Sequence, residues 1–139
     1  MVNPVCPYCG QPARLVTGAW LHPYQPSCHG RLYWTCDPCD AYVGCHLPKS
    51  KGGKGSGTLP LGSLANAQLR ALRIQVHELF DPLWKQRIIG NRHAAYRWLV
   101  KVMEVDYNQC HIGMFNDDQC RKAIQLLRRF HEELSNTRG

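Results

Sequence analysis

The sequence predicts an α+β fold, in which a small β module is followed by a bundle of three to four helices. Residues 1–47 hold two Cys-x-x-Cys pairs and short apolar stretches bounded by proline and glycine, which is typical of strands and loops. From residue 63 onward the apolar residues recur at helical spacing instead. Residues 48–62 are rich in glycine and lysine, and they predict a flexible linker between the module and a helical body at residues 63–139.

The cysteine pairs of the module predict a metal site. Cys6 and Cys9 form one pair, and Cys36 and Cys39 form the other. Zn²⁺ binds four thiolates tetrahedrally, and two such turns are a common way to present them. A redox dithiol needs only one pair followed by a helix, and neither pair precedes a helical pattern. We therefore predict one structural Zn²⁺ ion in a zinc-ribbon-like module, with metal binding supplying much of its folding free energy.

Three strands are predicted in the module. Residues 14–21 read as a strand in which Gly18 marks a bulge, and residues 32–35 read as a second strand that leads into Cys36. Residues 41–45 give a third. The intervening residues 22–30 contain two prolines and a glycine, so they predict a loop.

Two helices are predicted in the first half of the helical body. In the first, an apolar stripe is made of Leu69, Leu72, Val76 and Leu79. The pair Asp81-Pro82 resembles an N-cap followed by proline at the first helical position, so a second, short helix is predicted to begin there.

Two capped helices complete the predicted body. Asn91 caps a helix over residues 92–104, and Asn116 caps the last one, with Gln119 in the position of a capping box. The buried stripe of the last helix is predicted to be Cys120, Ile124, Leu127, Phe130 and Leu134.

The composition adds a basic charge balance. The chain has 139 residues, of which 17 are lysine or arginine and 10 are aspartate or glutamate, for a formal net charge of +7. This sign suits a polyanionic partner such as nucleic acid. No apolar run is long enough to span a membrane, and the N-terminus lacks the features of a secretory signal. We therefore predict a cytoplasmic protein with no membrane partner and no small-molecule substrate.

Aromatic and basic side chains together predict a nucleic-acid-binding surface. Neighbouring strand residues point to opposite faces, so either Tyr33 or Trp34 is expected to be exposed and able to stack on an unpaired base. The full predicted contact set is Tyr33, Trp34, Lys49, Lys51, Lys54, Arg70, Arg73, Arg97 and Lys101.

Two further kinds of site stay open from the sequence. Three Cys-His dipeptides occur, and a second metal site could be built from Cys45, His46, Cys110 and His111. A metal-dependent nuclease is a further alternative, because His77 and Asp81 lie one helical turn apart. No paired-histidine or paired-acid motif supports catalysis, and a four-thiolate site is closed to water.

Six strings give the chain a resemblance to a known family: residues 6–10 (CPYCG), 36–46 (CDPCDAYVGCH), 60–67 (PLGSLANA), 80–85 (FDPLWK), 95–99 (AYRWL) and 110–115 (CHIGMF). On these strings the chain resembles, over nearly its whole length, a zinc-finger-containing family of unknown function found in phages and prophages. The resemblance implies zinc on the four paired cysteines and a bacterial host cell, and it implies no activity. Residues 49–58 look like an expansion of a shorter connection, so their lysines would not be a feature of the whole family.

Three functions are therefore carried forward from the sequence. The first is a non-enzymatic zinc protein of phage or prophage type that binds nucleic acid. The second is a phage effector that binds and inhibits a host or defence protein, for which exposed aromatic and arginine side chains would serve equally well. The third is the metal-dependent nuclease, so enzymatic activity is left undecided.

Overall fold

The α+β class is confirmed by the computed structural model, which describes residues 3–138. A three-stranded antiparallel sheet and the four paired cysteines come first, and three long helices follow. The chain forms two compact units, Met1–Gln68 and Leu69–Gly139. None of the helices within the described residues has the length and apolar character needed to cross a bilayer.

The sheet of the first unit has the strand order β1-β2-β3. The strands are β1 (Arg14–Thr17), β2 (Leu32–Cys36) and β3 (Ala41–Gly44). Both pairings are antiparallel, as expected for strands joined by short connections. The predicted second and third strands are confirmed, and the first strand ends four residues earlier than predicted because a helical turn begins at Gly18.

The bulge predicted at Gly18 is therefore wrong. A short helix, α1 (Gly18–Leu21), begins there, and the Thr17 hydroxyl caps it by accepting from the Trp20 backbone N–H at 3.2 Å. A Cβ added to Gly18 would lie 1.6 Å from the carbonyl oxygen of Cys28. Glycine is required here because the backbone near Cys28 approaches so closely, and this contact between distant residues has no local sequence signal.

Residues 48–62, predicted to be a flexible linker, lie within the first unit and are hydrogen-bonded to its sheet. The backbone N–H of His46 donates to the Leu59 carbonyl at 2.8 Å, and that of Leu61 donates to the Gly44 carbonyl at 2.8 Å. Isolated bridges join Cys45 to Pro60 and Tyr42 to Ala65. The returning segment therefore pairs with the edge of β3 that would otherwise be open.

The second unit is built on α2 (Ala67–Lys85), α3 (Arg92–Met103) and α4 (Asp117–Arg138). The buried residues of α2 recur at alternating spacings of four and three and are Leu69, Arg73, Val76, Phe80 and Leu83. This periodicity places one face of α2 in the core. The predicted stripe is correct at Leu69 and Val76, whereas Leu72 and Leu79 are only half-buried.

The helix predicted to begin at Asp81-Pro82 does not exist, because α2 continues through Pro82 to Lys85. Proline lacks a backbone N–H and so removes one hydrogen bond of the helix. Phe80 and Leu83 on either side of it are both 0% exposed. Their burial, which follows from packing, maintains the helical path across a residue that would end an isolated helix.

The caps of the two following helices are confirmed. The Asn91 side chain accepts from the Ala94 backbone N–H at 2.9 Å, which begins α3 as predicted. Asn116 and Gln119 form a reciprocal capping box, each side chain accepting from the backbone N–H of the other at 2.9 Å. The buried residues of α4 include Cys120, Ile124 and Leu127, whereas Phe130 and Leu134 are only half-buried.

Candidate metal centre

The four paired cysteines converge on one point of the first unit. The sulfur atoms of Cys6, Cys9, Cys36 and Cys39 all lie within 4.8 Å of one another. The Cys9 and Cys36 sulfurs are 3.6 Å apart. A tetrahedral Zn²⁺ ion with Zn–S bonds of about 2.3 Å requires sulfur–sulfur separations of about 3.8 Å. The donor set and its spacing therefore fit one zinc ion.

Each pair is presented by a tight turn that closes on its own backbone. The Gly10 N–H donates to the Cys6 carbonyl at 2.8 Å, and the Asp40 N–H donates to the Asp37 carbonyl at 3.1 Å. Gly10 (φ 76°) and Asp40 (φ 50°) are both left-handed. Glycine and aspartate are among the residues that adopt this conformation most readily, so the local sequence favours both turns.

The thiols of the cluster differ in their pKa values. Burial raises the pKa of Cys39 to about 12 and raises that of Cys36, and the thiols of Cys6 and Cys9 add to both shifts. Burial acts in the same direction on Cys6, but hydrogen bonds from the backbone N–H groups of Tyr8 and Cys9 and with the neighbouring thiols together outweigh it and lower the pKa of Cys6. Four thiols held this close become thiolates together when a cation balances their charge, and Zn²⁺ would supply that charge.

A zinc ion at this site would be structural. Its four ligands would all be thiolates, which leaves no coordination position for a water or a substrate. Cys6 is 0% exposed and Cys36 is 6% exposed, and both belong to the small core that also includes Ala13 and Ala41. The ion would therefore join the two turns to this core cluster.

The fold and the site define a zinc-finger protein with a four-cysteine structural site. The chain belongs to the zinc-finger-containing domain family, whose sequence profile matches residues 2–130. The match spans nearly the whole chain and agrees with the resemblance seen in the sequence. No curated protein and no solved structure shows significant similarity to the chain.

The expectation that either Tyr33 or Trp34 is exposed is wrong. Tyr33 is 9% exposed and Trp34 is 5% exposed, although they point to opposite faces of the sheet. The Tyr33 ring makes T-shaped contacts with the rings of His22 and Tyr42, at centroid distances of 5.2 and 6.2 Å. On the other face the Trp34 indole N–H donates to the Thr58 carbonyl at 2.8 Å. Both faces are covered, so neither ring offers a stacking surface.

Arg73 is also buried, which contradicts its predicted place on a nucleic-acid-binding surface. It is 9% exposed, and its Nε and Nη2 atoms donate to the Phe115 carbonyl at 3.1 and 2.9 Å. The reason is the helical register, because Arg73 occupies a core position of α2. Its charge-assisted hydrogen bonds to a buried carbonyl serve the packing of the second unit.

The remaining predicted contact residues are at or near the surface. Lys49, Lys51 and Lys54 are exposed in the first unit. In the second unit, Arg97 and Lys101 are exposed on α3, as predicted, and Arg70 is half-buried on α2. Their contact with nucleic acid stays a prediction.

The two alternative sites that the sequence left open are the nuclease pair and the second metal site. The His77 Nδ1 lies 3.3 Å from the Asp81 Oδ1, as the one-turn spacing predicts. Within the described residues of each unit, the four paired cysteines are the only group of three or more metal-ligating side chains brought this close together. Cys45 is 1% exposed and Cys110 is 2% exposed, and burial raises the pKa of each to about 11.

Two tryptophans outside the sequence-based contact set lie beside cations. The guanidinium carbon of Arg14 lies 4.3 Å from the centroid of the Trp20 ring, and Trp20 is 53% exposed. In the second unit, half-buried Trp84 lies among Lys85, Arg87 and Arg92 at the turn after α2. A signal for the second was present in the sequence, where a tryptophan is followed by two cations within three residues.

Proposed function

We propose that this zinc-finger protein binds nucleic acid and has no catalytic role. The proposal is carried by one observation, the lysine turn at residues 48–55, which presents Lys49, Lys51 and Lys54 on an ordered backbone. All three side chains are exposed, and none forms an ion pair with a described residue. Residues 48–62 contain no acidic side chain. Clustered cations of this kind bind phosphates and release counterions.

The backbone of the lysine turn is closed by its own hydrogen bonds. The Lys49 N–H donates to the Gly55 carbonyl at 2.8 Å, and the Lys54 N–H donates to the Leu47 carbonyl at 2.8 Å. Gly53 also approaches the chain closely, since an added Cβ would lie 1.7 Å from the Leu47 carbonyl oxygen. An ordered turn loses less conformational entropy on binding than a free linker would. This order supports the turn as a preformed phosphate-binding element.

A second cationic surface supports the same proposal in the helical unit. Helix α3 carries Arg92, Arg97 and Lys101 and has no carboxylate between its first and last residues. Arg97 and Lys101 are four positions apart, which places both on one exposed face. A second phosphate-binding surface would add to the affinity by the same counterion release.

The test is fluorescence-anisotropy titration of the zinc-loaded protein with single- and double-stranded DNA and RNA from about 50 to 200 mM salt. The triple variant Lys49→Gln, Lys51→Gln, Lys54→Gln is expected to lower the slope of log affinity against log salt by about 2 to 3. The matched control removes the same charge from α4 with Arg121→Gln, Arg128→Gln, Arg129→Gln. An equal decrease of this slope in the control variant would overturn the lysine turn as the binding element. Salt-independent or absent binding would overturn the proposed function.

A second candidate function is the capture of a host protein by a phage effector. It is favoured by the exposed aromatic and aliphatic side chains of the first unit. Tyr24 is 94% exposed, Trp20 is 53% exposed and Leu61 is 49% exposed. Exposed aromatic side chains of this kind are typical anchors of protein interfaces. This candidate requires a host complex that survives nuclease and high salt, and that is lost with Trp20→Ser and Tyr24→Ser. The phage setting and the cytoplasmic location stay predictions.

A further inference from the structure

A cavity of about 800 Å³ lies at the turn between α2 and α3. Its lining residues are Trp84, Lys85, Arg87, Gly90, Asn91 and Arg92. We propose that this corner pocket binds one unpaired nucleotide of a single-stranded nucleic acid, with the base stacked on Trp84 and the phosphate held among the three cations. The inference rests on the proposed function and locates a nucleotide site that is separate from the lysine turn.

The backbone of the corner pocket is fixed by three hydrogen bonds of the turn. The Gln86 N–H donates to the Pro82 carbonyl at 3.0 Å, the Arg87 N–H to the Trp84 carbonyl at 3.2 Å, and the Ile89 N–H to the Leu83 carbonyl at 2.8 Å. Each of these bonds returns to the last turn of α2. The wall of the pocket is therefore preformed, which reduces the entropy lost on binding.

The aromatic wall is held in place from the side of α2. The Trp84 indole N–H donates to Asp81 Oδ1 at 3.4 Å, and the same carboxylate oxygen lies 3.3 Å from His77 Nδ1. Asp81 is the carboxylate that contacts the ring, and it does not line the cavity. The hydrogen bond restricts rotation of the indole, so less side-chain entropy is lost when a base stacks on the ring.

Two cationic groups lie over the Trp84 ring, and a base stacked on the same face would displace them toward its own phosphate. The Lys85 Nζ lies 5.5 Å from the centroid of the Trp84 ring, and the Arg92 guanidinium carbon lies 6.0 Å from it. Both distances are near the outer limit of about 6 Å for a cation–π contact. The Arg92 guanidinium carbon lies closer to the centroid of the Tyr96 ring, at 5.3 Å, and this contact holds Arg92 at the edge of the corner pocket.

The chemistry of the lining selects the ligand class. None of the six lining residues is acidic and three are cationic, so the pocket attracts an anion and repels a cation. The indole adds a flat apolar surface, on which a base stacks whatever its sequence. In a duplex both faces of a base are already stacked, whereas an unpaired base can occupy the indole face. An aromatic ring next to cations is the combination found in proteins that bind single strands.

Backbone strain points to the same turn. Arg87 has a φ of 55°, in the left-handed region that disfavours residues with a Cβ. Glycine adopts this conformation without that penalty, yet the position holds an exposed arginine. Strained residues are concentrated at functional sites, where the side chain is needed in spite of the conformation. Binding of a phosphate by the side chain would explain why an arginine occupies this strained position.

The test compares affinities of the full zinc-loaded protein for a single-stranded oligonucleotide and for the matching duplex. Trp84→Ala is expected to weaken single-strand binding by about 5- to 150-fold, which is the range for loss of one stacked base. The loss should be the same at every salt concentration, because no charge is removed. Duplex affinity should not change. The matched control is Trp20→Ala, which removes an exposed indole beside Arg14 in the first unit and should leave single-strand affinity unchanged.

Two further variants separate stacking from folding and from charge. Trp84→Leu keeps an apolar side chain in the helix without a π-face, and it should show the same loss as Trp84→Ala. Arg87→Gln should instead reduce the single-strand salt slope by about 0.7, the value for one phosphate contact. If the protein binds single strands and all three variants bind as the wild type does, the corner pocket is overturned and the proposed function stands. If the wild type binds no nucleic acid, both are overturned.

Discussion

The two units of the chain are stabilised by different means. The core cluster of the first unit has seven buried residues, and three of them are cysteines: Cys6, Ala13, Trp34, Cys36, Ala41, Cys45 and Leu64. The second unit buries large apolar side chains to 1% exposure or less, among them Phe80, Leu83, Leu99, Phe115 and Leu127. Burial of one such side chain stabilises by about 1.5–3 kcal/mol. The first unit therefore depends on its metal site, whereas the second depends on packing.

Removal of zinc should have the largest effect, and it should act on the first unit. Chelation or Cys36→Ser is expected to unfold this sheet, because zinc binding to four thiolates supplies about 10–16 kcal/mol of apparent free energy. The helices of the second unit should remain folded, because their core contains no ligand. Amide NMR spectra with and without chelator would show the loss of resonances from β1–β3 and the retention of those from α3 and α4.

The matched control for zinc loss is Cys28→Ser. Cys28 belongs to the same unit, but its sulfur lies outside the four-cysteine cluster and donates to the Gln25 side chain at 3.4 Å. This variant should bind one zinc ion and keep the spectrum of the wild type. Sheet resonances that persist after complete removal of zinc would contradict the dependence of the first unit on its metal.

Alkaline pH should destabilise the second unit, in which two thiols are buried. Burial raises the pKa of Cys110 and of Cys120 from 9.0 to about 11. The folded state therefore holds these protons more tightly than the unfolded state does. The associated stability is fully present below pH 9.0 and is lost as the pH rises toward about 11. Each thiol should account for a loss of about 2–3 kcal/mol across that window, since one pKa unit is about 1.4 kcal/mol.

Denaturant unfolding followed by circular dichroism at a series of pH values measures this effect. Cys120→Ala should lower stability at every pH, because it leaves a small cavity, but it should also reduce the alkaline loss by the contribution of that one thiol, about 2–3 kcal/mol. Cys28→Ala in the first unit serves as the control and should leave the loss unchanged. An alkaline loss that Cys120→Ala does not reduce would show that another group titrates.

Local signals predicted much of this structure. The spacing of Cys6, Cys9, Cys36 and Cys39 identified the metal site, because each pair is held by a turn of a few residues whose conformation the local sequence favours. The capping box at Asn116 was likewise readable, since its two hydrogen bonds join residues three positions apart. Such features depend on chemistry within a few residues.

The errors came from contacts between residues far apart in the chain. Tyr33 and Trp34 are both buried because the two faces of a small sheet are covered, one of them by the returning segment near Thr58. Alternation along one strand predicts which face a side chain points to, but not whether that face is covered. Arg73 was misplaced for a related reason, because the carbonyl that accepts its hydrogen bonds lies 42 positions away at Phe115.

The smallest expected effect is a gain in stability at Arg87. Arg87→Gly is expected to stabilise the second unit by about 0.5–1 kcal/mol, because relief of the left-handed strain exceeds the added entropy of the unfolded chain. The matched control is Glu104→Gly, since Glu104 has nearly the same φ of 56° but does not line the corner pocket. Both variants should unfold at higher denaturant concentration. Only Arg87→Gly should weaken binding to single strands, because it alone removes a phosphate contact.

If Arg87→Gly destabilises the protein, the left-handed residue is not strained. If this variant binds single strands as the wild type does, the arginine has no role in the pocket. A stability gain together with lost affinity would show that the second unit, which is stabilised by packing, retains an unfavourable backbone conformation for the sake of binding.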